Sequence, residues 1–170
     1  AGVGMRDYAS VYSAASASDS AQSMTVAADS LPGARTISGP WQVTFPAGLG
    51  APPSVTLPDL VSWTEHADEG VRYFSGTATY VKDFQVPAEM LGPGKALALD
   101  LGQVKNLAQV RVNDRDLGVL WKPPFRVDLT GAVHAGANRL EVSVTNLWPN
   151  RLIGDAQLPE EKRVTFATWQ

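Results

Sequence analysis

The spacing of the apolar residues constrains this chain more than any other feature. In the stretch RLEVSVTNL (139–147), Leu140, Val142 and Val144 alternate with Glu141, Ser143 and Thr145. In AQVRV (108–112), Ala108, Val110 and Val112 alternate with Gln109 and Arg111, and in ALALDLG (96–102) Leu97, Leu99 and Leu101 share one parity. A period of two sends one set of side chains to one face of an extended chain and the other set to the opposite face. WQVTF (41–45) repeats the pattern with large residues, and PPFRVDLT (123–130) reads as a strand led by prolines. Turn residues separate these runs: PAGLGAPPS (46–54), EHADEG (65–70), the Asn113–Asp116 hairpin turn and HAGAN (134–138). About eight short strands at regular spacing, with almost no helical periodicity, predict an all-β fold: an antiparallel β-sandwich, with a jelly roll as the expected arrangement.

Two regions are less regular. GVRYFSGTATYVKDFQVP (70–87) is expected to be one long strand or a bulged pair, because Lys82 falls in phase with Tyr80 and Phe84 and implies a bulge or a solvent-open face there. SVTLPDLVSW (54–63) reads as a broken extended segment, and RVTFATW (163–169) as a strand that closes the sheet. Residues 9–30 are small and polar. Residues 1–36 are therefore expected to be a linker or the tail of a preceding region, and 37–170 the sandwich. A helix over 14–28 or an edge strand at MTVAA is an alternative within that stretch.

At 170 residues the chain fits one domain plus a tail. A net charge of −3 gives no attraction to nucleic acid or to an anionic membrane, and neither is expected as a partner. No apolar run approaches a membrane span, and residues 1–30 carry no basic start followed by an apolar block. There is no cysteine, so disulfides and thiol catalysis are excluded while the compartment stays open. His66 and His134 lie far apart, outside metal-ligand spacing, and read as turn residues. The adjacent pairs Asp68-Glu69 and Glu160-Glu161 point opposite ways on extended chain and form no glycosidase dyad by themselves. No catalytic residue, metal ligand or cofactor is assigned. A structural calcium is left open.

The candidate site is NLWPNR (146–151). Pro149 ends the strand ladder, and Asn146, Trp148, Asn150 and Arg151 crowd one rigid corner. Aromatic faces and forked donors are the groups that grip a sugar. The plainer reading folds Trp148 onto the sandwich and pairs Arg151 with Asp155 or Glu160. Trp63 and Trp121 also end strands, with Lys122 following Trp121. They form a platform with Trp148 if the three ends meet, or simply cap the sandwich.

ISGPWQVTFP (37–46), SWTEHADEGVRYFSGTATYVKDFQVP (62–87), LDLGQVKNLAQVRVNDRDLGVLWKPPFRVDLT (99–130) and NRLEVSVTNLWPNRLIGDAQLPEEKR (138–163) resemble, in this order, the C-terminal sandwich of bacterial α-L-rhamnosidases of glycoside hydrolase family 106. More broadly they resemble the galactose-binding-like jelly roll of family 2 glycosidases. YFSGTATY (73–80), with Tyr73, and NLWPNRLIGD (146–155) are the specific parts. The resemblance implies a non-catalytic accessory piece of an extracellular or periplasmic glycosidase. Its partners would be a carbohydrate, a rhamnose-containing glycan among the candidates, and the enzyme's own catalytic domain. Taken together, the ligand-binding candidates are Trp63, Tyr73, Trp121, Lys122, Asn146, Trp148, Asn150 and Arg151. The family's acid and base carboxylates lie in a separate barrel. A (β/α)8 barrel needs about 250 residues, which this chain does not have. An independent carbohydrate-binding module and a purely structural buttress are the alternatives.

Overall fold

The computed structural model describes residues 33–165, together with the backbone of residues 4–6 and 10–15. The strands are β1 (Gly4–Arg6), β2 (Ser10–Ala15), β3 (Arg35–Thr36), β4 (Trp41–Thr44), β5 (Ser54–Leu57), β6 (Thr77–Val86), β7 (Lys95–Asp100), β8 (Gln103–Lys105), β9 (Leu107–Val112), β10 (Arg115–Leu120), β11 (Arg126–Asp128) and β12 (Gly136–Thr145). Two short helices, α1 (Glu69–Arg72) and α2 (Pro149–Asp155), stand among them. Six strands form one antiparallel sheet in the order β10-β9-β12-β6-β4-β5, and four form a second in the order β11-β7-β2-β3. The short pair β1-β8 adds a third ladder. The result is the expected all-β antiparallel sandwich.

Alternation builds the core as the sequence predicts. β12 pairs with β6 in unbroken register from Gly136 opposite Val86 to Thr145 opposite Thr77, and with β9 on its other side. Leu140, Val142 and Val144 are therefore flanked by Val112, Val110 and Ala108, and all six are fully buried. Leu97 and Leu99 of β7, and Leu101 just past its end, join the same cluster. Removing such side chains from water is the main driving term of the fold. An aromatic knot fills one end: Phe45 meets Phe74 edge-on at 4.9 Å, and Phe74 meets Trp63 at 5.4 Å. The Trp63 indole N–H donates to the Tyr80 hydroxyl, so its one polar atom is satisfied inside the core.

Four expectations need correction. First, 70–87 is not a strand throughout, because α1 occupies its start. The Asp68 carboxylate accepts from the Val71 N–H at 3.2 Å and caps that helix. Gly70 fits there because a Cβ would lie 2.2 Å from the Gly50 carbonyl oxygen. Second, of the bulge and the solvent-open face offered for Lys82, the bulge is absent, because β6 keeps unbroken register with β12 there. The side chain keeps the inward parity and reaches out to donate to the Pro40 carbonyl at 3.0 Å. Third, the stretch expected to be a tail contributes β2, which lies between β7 and β3 in register from Ser10–Asp100 to Ala15–Lys95. The helix and the MTVAA strand considered for that stretch fall largely on 16–32, outside the described residues. Fourth, residues 163–165 belong to neither sheet, and the rest of the 163–169 segment lies outside the described residues.

Candidate functional site

β12 ends at Thr145, and the chain enters α2 through Asn146, Leu147 and Trp148. The sequence reads this corner as a loop because Pro149 stops a strand. Pro149 also fits the first turn of a helix, where its missing N–H has no partner to lose. Trp148 offers no capping side chain. The cap comes instead from far away in sequence: the Ser75 hydroxyl accepts from the Arg151 N–H at 2.8 Å and donates to the Leu147 carbonyl at 3.0 Å.

The two asparagines bolt this corner to the segment before β6. Asn146 accepts from the Gly76 N–H at 2.7 Å and donates to the Phe74 carbonyl at 2.8 Å. Asn150 donates to the carbonyls of Arg72 at 2.7 Å and Phe74 at 2.9 Å. Both are buried, with their donors committed to the backbone. Gly154 brings α2 hard against Tyr73, since a Cβ there would lie 2.5 Å from that of Tyr73.

Arg151 and Asp155 form the buried ionic centre of α2. Arg151 is 6 % exposed, and its Nη2 donates to Asp155 Oδ1 at 2.9 Å. Arg151 Nε is buried with no hydrogen-bond partner among the described residues. Asp155 also accepts from the Val164 N–H at 3.2 Å, the Thr165 N–H at 2.8 Å and the Thr165 hydroxyl, which ties the C-terminal stretch to the helix. Burial raises the Asp155 carboxyl, but the Thr165 and Val164 hydrogen bonds and the Arg151 charge outweigh it and hold the group below its usual value.

A cleft of about 540 Å³ opens beside this centre, with Leu49, Thr145, Trp148, Arg151 and Val164 in its walls. A second cleft of about 450 Å³ is also bordered by Arg151, with Glu69, Tyr73, Gln157 and Lys162 in its walls.

The sequence-predicted residues therefore separate into two groups. Trp63 is 1 % exposed in the core, so it offers no face to a ligand and the three-tryptophan platform does not form. Asn146, Asn150 and Arg151 are struts. The Arg151–Asp155 pairing of the plainer reading is present, while Trp148 does not fold onto the sandwich. Trp148 is 69 % and Trp121 67 % exposed, with the Lys122 Nζ 5.1 Å from the Trp121 ring centre. Tyr73 is half-buried and bonds the Gln157 side chain at 3.1 Å. Sequence reasoning missed Ser75, whose role depends on contacts distant in sequence, and Thr165, which joins Arg151 in holding Asp155. It also missed Leu147, Leu152 and Ile153, which are exposed. Among the described residues no three His, Asp or Glu side chains gather as a metal site.

No family model matches this chain. A protein of Formosa agariphila provisionally named beta-glucuronidase is 48 % identical over 136 residues, covering 80 % of this chain and 12 % of that one. The solved rhamnosidase from Novosphingobium sp. PP1Y is also 48 % identical, with a TM-score of 0.71 over 76 % of this chain and 12 % of its own. The Lactobacillus rhamnosus beta-glucuronidase superposes with a TM-score of 0.55 at 27 % identity, over 65 % of this chain and 20 % of its own. This chain is thus similar to one segment of much longer glycoside hydrolases and spans only 12 % of the first two.

Proposed function

We propose that this chain is a non-catalytic accessory β-sandwich of an α-L-rhamnosidase-type glycoside hydrolase, working outside the cytoplasm, with the hydrolytic carboxylates on another part of the enzyme. The 48 % identity to a single segment of a rhamnosidase, at a TM-score of 0.71, carries this reading. The buried centre supports it as well. Asp155 is pinned by three hydrogen bonds and an arginine, an arrangement that holds a corner rigid and leaves this carboxylate committed to structure. The isolated chain is expected to leave aryl α-L-rhamnosides and aryl β-glucuronides intact. Turnover that follows the protein peak through repurification would overturn the reading.

A second reading, sugar binding, is favoured by one observation: the exposed indole of Trp148 lines a cleft of about 540 Å³. There the C–H face of a sugar would stack on the ring. Calorimetry with L-rhamnose and rhamnose-containing oligosaccharides tests it. Heat that disappears in Trp148→Ala supports binding at this cleft, and no heat with any of these sugars removes it.

A further inference from the structure

α2 is built inside out. Its inward side carries Asn150, Arg151 and Asp155, and its outward side carries Leu152 and Ile153, 45 % and 57 % exposed. A helix on the surface of a soluble domain normally turns its apolar stripe to the core and its charges to water. Here the apolar stripe extends through Leu147 and Trp148, which lead into the helix and are also exposed.

The rest of the exposed apolar surface lies at the same end of the six-stranded sheet. Leu107 pairs with Thr145, where β12 runs out, and Leu120 pairs with Ala108 beside it. Leu107, Val119 and Trp121 are therefore neighbours of that strand end, and each is exposed. With Leu147, Trp148, Leu152 and Ile153 they make up every large hydrophobic exposed among the described residues. The outer face of the same sheet is polar where it leaves this end: Thr79 bonds Ser143 at 3.0 Å and Gln42 bonds Thr56 at 2.9 Å. The apolar exposure is a patch at one end and not a general property of the surface. Contiguous patches of this kind mark an interface, and tryptophan is enriched at the centre of interfaces.

We infer that this end of the sandwich, the outward side of α2 with Trp148 and Trp121, is the surface that seats the chain on the catalytic portion of a rhamnosidase-type glycosidase. The inference rests on the accessory-domain reading above. The occupant follows from length: the two relatives at 48 % identity are glycosidase chains of which this sequence matches 12 %. A segment so embedded has a permanent neighbour in its own polypeptide. The buried struts Asn146, Asn150 and Arg151 hold the patch in one shape before docking, which lowers the ordering cost of association.

The test is a chimera. The matching segment of the Novosphingobium sp. PP1Y rhamnosidase is replaced by this chain, either unchanged or carrying Trp148→Glu and Leu152→Glu together. Both forms of this chain are also made alone. Alone, the substituted chain is expected to melt within a few degrees of the unchanged one, because both positions face solvent. In the chimera the unchanged chain is expected to give soluble, active rhamnosidase, and the substituted one on the order of tenfold less or worse. A substituted chimera as active and soluble as the unchanged one overturns the docking surface and leaves the accessory reading standing. An inactive chimera with the unchanged chain overturns the accessory reading itself, and this inference with it. An isolated chain that dimerises in sedimentation, with the dimer broken by the two substitutions and the chimera indifferent to them, assigns the patch to a second copy instead.

Discussion

Replacing Asp155 by asparagine probes the buried centre that gives the candidate site its shape. The carboxylate accepts from Arg151 Nη2 at 2.9 Å, from the Val164 N–H at 3.2 Å, from the Thr165 N–H at 2.8 Å and from the Thr165 hydroxyl, while 3 % exposed. Asparagine keeps the volume, loses the charge and turns one acceptor into a donor that faces donors. Arg151 is then left as a buried cation without a counter-ion, its Nε already lacking a hydrogen-bond partner among the described residues. Removing one partner of a buried ion pair costs about 3–5 kcal/mol. For a chain of this length each kcal/mol moves the melting temperature by about 2–4 °C, so Asp155→Asn is expected to lower it by roughly 6–20 °C. Calorimetry at pH 7 and urea midpoints measure this directly. Arg151→Met is expected to be costly alone, and Asp155→Asn less costly on that background, with a coupling of about 1–3 kcal/mol. If Asp155→Asn melts within about 1 kcal/mol of wild type, or the two effects simply add, the pair does not hold the corner and the reasoning fails.

The same group sets an acid dependence. The Asp155 carboxyl lies below its usual value when folded, so its stabilisation is complete above the unfolded value of about 3.9 and is lost as pH falls through the folded one. Melts between about pH 6 and pH 2 are therefore expected to show the gap between wild type and Asp155→Asn narrowing only below about pH 4. Ser75→Ala removes the remote helix cap and is expected to cost about 0.5–2 kcal/mol by urea titration. Gly154→Ala forces a methyl against Tyr73 and is expected to cost about 1–3 kcal/mol, lost again in Gly154→Ala with a smaller residue at Tyr73. Trp148→Ala, at an exposed position, is expected to change stability by no more than about 0.5 kcal/mol in the isolated chain.

The strands were legible where one face of each meets the core. Leu97, Leu99 and Leu101, and Leu140, Val142 and Val144, show their burial in their spacing, and all six are inside. β2 was illegible because its small and polar residues carry no such alternation, and its place is set by pairing with β7. α2 was illegible for a more specific reason. It is seven residues long, its cap comes from Ser75, and its buried side is polar, so neither a capping signature nor an amphipathic stripe announces it. At the corner 146–151, residue type could not divide the roles of the side chains. Asn146, Asn150 and Arg151 look like ligand donors in sequence, and only the carbonyls of Arg72 and Phe74 and the carboxylate of Asp155 reveal them as struts. Trp63 likewise stands at a turn yet turns inward, where Tyr80 accepts its N–H.

Because the chain has no cysteine, a single introduced thiol can report whether the apolar end is covered. Ile153→Cys places a thiol on the outward side of α2, and Gln85→Cys places one at an exposed position where β6 pairs with Ala137, far along the strand from Thr77. Maleimide labelling of each is followed by peptide mass spectrometry, in the isolated chain and in the rhamnosidase chimera. Docking predicts that both thiols label rapidly in the isolated chain, and that only the thiol at 153 becomes slow in the chimera, on the order of tenfold or more. Equal labelling of the thiol at 153 in both settings would contradict the claim that this end of the sandwich rests on the rest of a glycosidase.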